Sequence, residues 1–388
     1  MKLFVIGCGQ CGGRIADEFC RINVKARVQR GIDIVTGIIA VNTDIADLSG
    51  LSFIRRDYQH RIVIGGQRTS GHGVGKINEL GAEVARDDGD KVLEAISTSP
   101  QFAETDAFLL IGGCGGGTGS GAIPVLTQQL KDRYPEKPVY ALIVLPFKHE
   151  ELTEERTVYN AATCLKSVYL VADAVLLVDN QRYVRKNLSL RRNLFRINSS
   201  IVEPFYNLLC SGEEKRPEFI GSKILDAGDI IQTLTGWTVI GHGKAPIPRI
   251  NFPFNIKGDF VDKVKEAQRG VKAINEAIGE LSLRCNPKDA RKALYFVSAP
   301  HHEMNVELMN ELGTILKRLA PDAIIGSGDY PREKHVLNVT VILSELAYVG
   351  KIMDYFSRVI LYLATKKRGA ERPQRGIEEA FRDIPSLL

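Results

Sequence analysis

Gly112-Gly113-Cys114-Gly115-Gly116-Gly117-Thr118-Gly119-Ser120-Gly121 is the stretch on which the reading of this chain turns. The apolar run Ala107 to Ile111 before it reads as a buried strand, and a helix is expected from Ala122. Glycine at most positions of such a turn leaves backbone N–H groups free to wrap anionic oxygens, and the helix start adds partial positive charge. The hydroxyls of Thr118 and Ser120 are further candidate donors. A flexible linker does not account for the cluster, because strand and helix abut it directly.

A second glycine turn lies at the N-terminus. Strand Lys2 to Ile6 runs into Gly7-Cys8-Gly9-Gln10-Cys11-Gly12-Gly13-Arg14 and then a helix, with a GxGxxG match at Gly7, Gly9 and Gly12. Alone, this pattern fits a dinucleotide-binding Rossmann unit equally well, with Asp44 as the acid beyond the second strand. A nicotinamide enzyme, however, has no need of the second cradle at Gly112 to Gly121. Cys8 and Cys11 form a CxxC, but no second Cys or His pair stands at zinc-ligand spacing. Cys11 reads instead as a small side chain that tolerates a ligand's close approach.

Working outward, further strands are expected at Gly37 to Val41, Val139 to Leu145 and Ala174 to Val178, alternating with helical stretches. This is the pattern of a parallel sheet covered by helices, whose ligands bind beyond the carboxyl ends of the strands. Apolar positions from Leu190 to Leu208 recur at three and four residues and predict a long helix over Leu188 to Leu209. A second, smaller α/β unit is expected from about Ala245, with strands Leu294 to Ser298 and Leu337 to Leu343 and a helix Val306 to Leu319. The amphipathic helix Ala347 to Lys367 is expected to pack on that second sheet, a partner groove being the alternative. The expected organisation is therefore 1–187, a linking helix and loop region 188–244, a second domain 245–367 and a basic tail 368–388.

The chain's 388 residues, 44% hydrophobic and 25% charged, suit two packed globular domains. A net charge of +5 without aromatic residues among the basic ones argues against nucleic-acid binding. No apolar run reaches membrane-spanning length, no signal peptide precedes the first strand, and the odd set of seven cysteines fits a reducing compartment. A cytoplasmic location is expected. Lys366, Lys367, Arg368, Arg372 and Arg375 form the densest basic stretch and read as a solvated tail, a surface for an anionic partner being the alternative.

The motif at Gly115 to Gly121, GGGTGSG, resembles the signature loop of the tubulin/FtsZ superfamily, and four further motifs follow in the family's order. Gly9, Gln10, Cys11, Gly12, Gly13 and Arg14 resemble the first loop of tubulin, whereas Asn42-Thr43-Asp44 is similar to the NTD of FtsZ. Gly71 to Gly81, with Val74 and Gly75 at its centre, resembles the loop whose backbone senses the γ-phosphate. Pro146-Phe147 and Glu150 resemble the loop that meets the ribose. Asn180 stands where the family reads guanine, and Asn198 within one position of the second guanine contact; an amide suits the N1–H, N2–H and O6 edge. The mixture of tubulin-like and FtsZ-like loops is most similar to the archaeal CetZ branch.

The resemblance implies an α/β fold, with a parallel-sheet GTPase domain joined by a long central helix to a smaller α/β C-terminal domain. It implies GTP and GDP as ligands at Gly9 to Arg14, Asn42, Asp44, Val74, Gly75, Gly115, Gly116, Gly117, Thr118, Gly119, Glu150, Asn180 and Asn198. Mg2+ would be carried on the phosphates and reached by Asp44 through water. It also implies head-to-tail assembly with further copies of the chain, a cytoskeletal role in division, shape or segregation, and accessory partners at the C-terminal tail. Asp383-Ile384-Pro385-Ser386-Leu387-Leu388 resembles the FtsZ partner-binding peptide; disorder or packing on its own domain is the alternative.

Ile224-Leu225-Asp226-Ala227-Gly228-Asp229 resembles the FtsZ loop NxDxxD, with Ile224 in place of Asn. The i, i+3 spacing puts both carboxylates on one side of a helix start, where they can cap it or orient water in a neighbour's site. The resemblance assigns Asp226 and Asp229 to water activation in trans, with slow hydrolysis expected from the missing Asn. A Rossmann oxidoreductase and a nucleotide-binding regulator that never polymerises are the competing readings.

Overall fold

The computed structural model describes residues 1–185, 189–248, 259–367 and 384–388. Leu188, Arg368, Arg372, Arg375 and Asp383, and with them most of the expected basic tail, lie outside those residues. The chain divides into two compact units. One comprises Lys2–Lys25, Val35–Val202 and Tyr348–Leu388; the other comprises Met1, Ala26–Ile34 and Glu203–Ala347.

The first unit follows the order β1 (Leu3–Cys8), α1 (Gly9–Arg30), β2 (Val35–Asn42), α2 (Ile45–Ser49), β3 (Arg61–Val63), α3 (Gly66–Thr69), α4 (Asn78–Asp87), α5 (Gly89–Ser97) and β4 (Ala107–Gly113). It continues through α6 (Thr118–Arg133), β5 (Val139–Leu145), α7 (Lys148–Thr153), α8 (Glu155–Val171), β6 (Ala174–Asp179), α9 (Asn180–Tyr183) and α10 (Leu190–Ser211), whose last residues belong to the other unit, as do those of α1. Its strands lie in the order β3-β2-β1-β4-β5-β6, every pair parallel. β1 and β5 are buried along their whole length, because a central strand with helices on both faces has no solvent side. The order reverses between β1 and β4. A crevice therefore opens where the loops leaving these two strands part, the usual ligand position of such a sheet.

The second unit contains α11 (Ala227–Thr233), β7 (Gly236–Pro246), α12 (Asp259–Gly279), β8 (Ala290–Ser298), α13 (Val306–Leu319), β9 (Ile324–Asp329) and β10 (Val336–Leu346). Its sheet runs β7-β10-β8-β9, with β10 antiparallel to both neighbours and β8 parallel to β9. α13 shows how such a helix is specified: Asn305 caps it by accepting from the Leu308 amide at 2.8 Å, and Leu308, Leu312 and Leu316 make one buried stripe. β7 begins at Gly236, ahead of Ala245, where the second unit was expected to start.

Helix α14 (Gly350–Lys367) corrects a second expectation. It packs on α8 in the first unit, not on the second sheet, and buries Ile352, Tyr355, Phe356 and Val359. An amphipathic stripe announces an apolar face but does not name the surface that covers it. The last five residues also join the first unit. Ile384 and Leu387 are buried, the Ser167 hydroxyl accepts from the Leu387 amide at 3.0 Å, and Lys166 and Arg86 donate to the Ile384 and Leu387 carbonyls.

Candidate functional site

The two glycine turns meet in the first unit. Gly9 opens α1 with φ of 69°, and a Cβ there would stand 2.9 Å from the Gly119 amide nitrogen, so only glycine lets the loops approach this closely. Gly12 does something else: a Cβ on it would lie 2.0 Å from the Ile111 carbonyl oxygen. It seats α1 on the sheet. The first turns of α1 and α6 thus point their unpaired N–H groups toward one volume.

That volume is a cavity of about 460 Å³. Its wall includes Gly9, Gln10, Cys11 and Arg14 from α1, Asn42 and Asp44 after β2, and Gly115 to Gly119 after β4. Glu150 of α7, Asn180 of α9 and Asn198 of α10 also line it. A Cβ at Gly116 would meet nothing within 4 Å, so the turn faces open space there, as a cradle for a bulky anion must.

The residues singled out in the sequence do not all reach the cavity. Gly12 and Gly13 pack beneath it, Gly13 toward Leu51 and Ala40. Val74 is buried under Gly117, and the wall takes Gly73 and Lys76 from that loop while leaving out Gly75. α6 starts at Thr118, four residues before the expected Ala122, so half of the glycine turn is already helix. Ser120 is consequently buried and its hydroxyl donates to the Gly116 and Gly117 carbonyls, which removes it from the expected ligand donors. Thr118 stays on the wall, with its hydroxyl 2.6 Å from that of Thr43.

Several contributors went unread in the sequence. Asp47 lies on the wall and accepts from Gln10 Nε2 at 2.6 Å and Asn42 Nδ2 at 3.2 Å, joining the loops after β1 and β2. Its position in the first turn of α2, three residues after the Asp44 cap, was the available signal. Asp44 itself caps α2 through Oδ1, accepting from the Ala46 and Asp47 amides. His149 stacks on Phe147, and Glu150 accepts from the Phe147 amide at 2.8 Å, so α7 is braced before any ligand arrives. Asn160 is fully buried on α8, and its Nδ2 donates to the carbonyls of Lys76, Gly115 and Gly116. No local pattern distinguishes it from any other polar residue of a helix.

Burial pushes the Cys11 thiol up to about 12, Glu150 adding to the effect and Arg14 opposing it. Burial alone carries Cys8 up to about 12. Both are neutral at ordinary pH and act as small apolar walls. The cations and carboxylates on the wall are mixed in sign, so an anion here relies on backbone amides and helix starts more than on net charge. The residues present therefore fit a nucleoside phosphate: amides for phosphates, Glu150 for a sugar hydroxyl, and the carboxamides of Asn180 and Asn198 for a base edge.

In the second unit Asp226 and Asp229 form a reciprocal capping box at the start of α11. Asp226 Oδ1 accepts from the Asp229 amide at 2.9 Å, and Asp229 Oδ2 from the Asp226 amide at 3.3 Å. Ile224 beside them is half exposed.

Comparison with known proteins assigns the family. Residues 2–186 match the profile of the tubulin/FtsZ family GTPase domain, and residues 188–360 that of the tubulin-like CetZ C-terminal domain. The chain is 34% identical over 346 residues to the tubulin-like protein CetZ1 of Haloferax volcanii, covering 85% of this chain and 84% of that protein. It belongs to the CetZ branch of the tubulin/FtsZ family. A CetZ of Pyrococcus abyssi is 30% identical, covering 86% of this chain and 91% of its own. Among solved structures, the GDP-bound monomer of Haloferax volcanii CetZ1 aligns with TM-score 0.80 and 30% identity over 94% of this chain and all of that one. The GTPγS-bound protofilament of CetZ2 from the same organism aligns with TM-score 0.79 and 28% identity over 95% of this chain and all of that one. In CetZ terms the first unit holds the GTPase domain. Yet α14 lies largely within the stretch matched by the C-terminal profile while packing on the GTPase side. No helix among the described residues is long and apolar enough to cross a membrane.

Proposed function

We propose that this CetZ-family chain is a cytoskeletal GTPase of the cytoplasm, with a role in cell shape or division. It binds GTP in the cavity of its GTPase domain, assembles head to tail, and hydrolyses GTP where Asp226 and Asp229 of one subunit enter the site of the next. The observation that carries the reading is the convergence of the Gly9 and Gly115-to-Gly119 turns on one cavity whose wall also carries Asn180 and Asn198. Phosphates lie on the amides, the ribose at Glu150 and guanine at the two asparagines. Asp44 would hold Mg2+ through water, and the ion would supply charge neutralisation to the phosphates. The GDP-bound and GTPγS-bound CetZ relatives support guanine nucleotide as ligand and the filament as product.

Asp226 and Asp229 orient and polarise the attacking water, the task left when phosphoryl transfer is chiefly positioning. Each site is then half complete in a monomer, and a heterologous head-to-tail contact extends into an open filament. The oxidoreductase reading finds no support, since the second phosphate turn has no place in it.

The test is sedimentation and phosphate release with GTP, GDP, ATP and no nucleotide. GTP alone should drive assembly. ATP competing equally with GTP would refute the guanine assignment. Asn180→Leu or Asn198→Leu should weaken GTP by about 1–3 kcal/mol, because a base donor or acceptor loses its partner.

A further inference from the structure

Three residues of α14 converge on one carboxylate of α7. Tyr355 donates its hydroxyl to Glu151 Oε1 at 2.6 Å, Lys351 Nζ lies 3.3 Å from the same oxygen, and Arg358 Nη1 lies 3.6 Å from Glu151 Oε2 while its Nη2 donates to the Glu151 backbone carbonyl at 3.2 Å. Burial holds the Tyr355 hydroxyl far above its usual range, which keeps it a donor. The same Lys351 Nζ lies 3.1 Å from Oδ1 of Asp179, the last residue of β6. That oxygen is also the N-cap of α9, accepting from the Gln181 amide at 3.0 Å. Lysine thus sits between two shielded carboxylates, Glu151 and Asp179, with side chains 11% and 14% exposed.

Each carboxylate adjoins a wall residue of the cavity, Glu151 following Glu150 and Asp179 preceding Asn180. The two loops also touch through the Lys148 amide, which donates to Gln181 Oε1 at 3.3 Å. Arg358 offsets part of the Glu151 charge from one side, but Lys351 is the cation that touches both carboxylates, and without it they repel across the gap between α7 and the start of α9. We infer that Lys351 is a positioning residue for nucleotide binding: from α14 it draws Glu151 and Asp179 together and so sets the spacing between Glu150 and Asn180. The sugar-and-base end of the ligand is gripped by this spacing, whereas the phosphate turns have holds of their own, Gly12 against the sheet and Asn160 on the Gly115 and Gly116 carbonyls. The inference rests on the nucleotide assignment above for its ligand, but not for the coupling of the two loops.

Two readouts on the full chain test it. By calorimetry, Lys351→Met should bind GDP and GTP about tenfold more weakly than the unaltered protein, with the ratio of the two affinities unchanged, and Lys351→Arg should recover most of the loss. By hydrogen exchange on unliganded protein, Lys351→Met should speed exchange over residues 147–153 and 179–183 while exchange over residues 113–119 stays the same. Tyr355→Phe, which deletes one oxygen, should produce the same pattern more weakly. Equal GDP affinity in Lys351→Met, a loss confined to GTP, or a general fall in protection across the unit overturns the inference. Failure of the unaltered protein to bind GDP overturns the nucleotide assignment instead, and the exchange pattern then decides the coupling alone.

Discussion

Asn160 Nδ2 donates to the Gly116 carbonyl at 2.9 Å, from the interior of α8 to the middle of the glycine turn. The same nitrogen reaches the Lys76 carbonyl at 2.9 Å and the Gly115 carbonyl at 3.3 Å, so one carboxamide braces two loops of the cavity. Asn160→Asp would set a carboxylate against three carbonyl oxygens in a buried position. It should destabilise the protein by about 3 kcal/mol or more and weaken GTP binding in step. Asn160→Ala, which leaves the carbonyls unpaired but introduces no charge, should cost about 1–3 kcal/mol. Denaturant titration of both variants checks the order, and equal stability of Asp and Ala forms would show that the brace is not formed.

The observed cap of Asp226 and its proposed role in water activation can be separated, because asparagine caps a helix about as well as aspartate but cannot polarise water as a carboxylate does. Asp226→Asn should keep its unfolding midpoint, bind GTP and assemble, yet release almost no phosphate. Asp226→Ala should lose hydrolysis and also about 1 kcal/mol of stability. Activity per subunit of the unaltered protein should rise with concentration. A rate that stayed constant where no oligomer is detectable would sink the shared site.

The terminal contact makes a prediction about stability rather than catalysis. Ile384 and Leu387 are buried on the GTPase domain, so removing residues 384–388 should lower the unfolding free energy by about 3–6 kcal/mol, the worth of two buried side chains. GTP affinity should be unchanged, since none of these residues lines the cavity. Thermal unfolding and nucleotide titration of the truncated chain test this. An unaltered melting temperature would mean that the end of the chain does not dock.

His242 of β7 supplies a pH dependence. Burial pushes its imidazole down to about 4, Lys244 reinforcing the shift and Glu203 opposing it, and its Nδ1 is 3.0 Å from the Thr340 hydroxyl. The unfolded chain takes up this proton near pH 6.5 and the folded chain only near 4. The neutral ring's contribution is therefore fully present above about pH 6.5 and is lost on acidification, by at most about 1.4 kcal/mol per pH unit. Chemical denaturation between pH 7 and 5 should show that slope, and His242→Gln should flatten it.

Local residue patterns determined the parts of this protein that depend on neighbours in sequence. Apolar runs marked β1, β4, β5 and β6, glycine clusters marked the two turns that line the cavity, and the i, i+3 pair Asp226 and Asp229 marked the start of α11, since strand burial, backbone access and capping are all settled within a few residues. Five ordered motifs were enough to indicate the tubulin/FtsZ fold. Tertiary structure alone decided which of those residues face the cavity: Gly12 and Gly13 seat a helix, Ser120 turns inward, and Asp47 and Asn160 join loops distant in the chain. It also decided that α14 covers α8 and sends Lys351 to Glu151 and Asp179. The reason is physical: an amphipathic face or a lone polar side chain carries no record of its partner, and only packing in three dimensions supplies one.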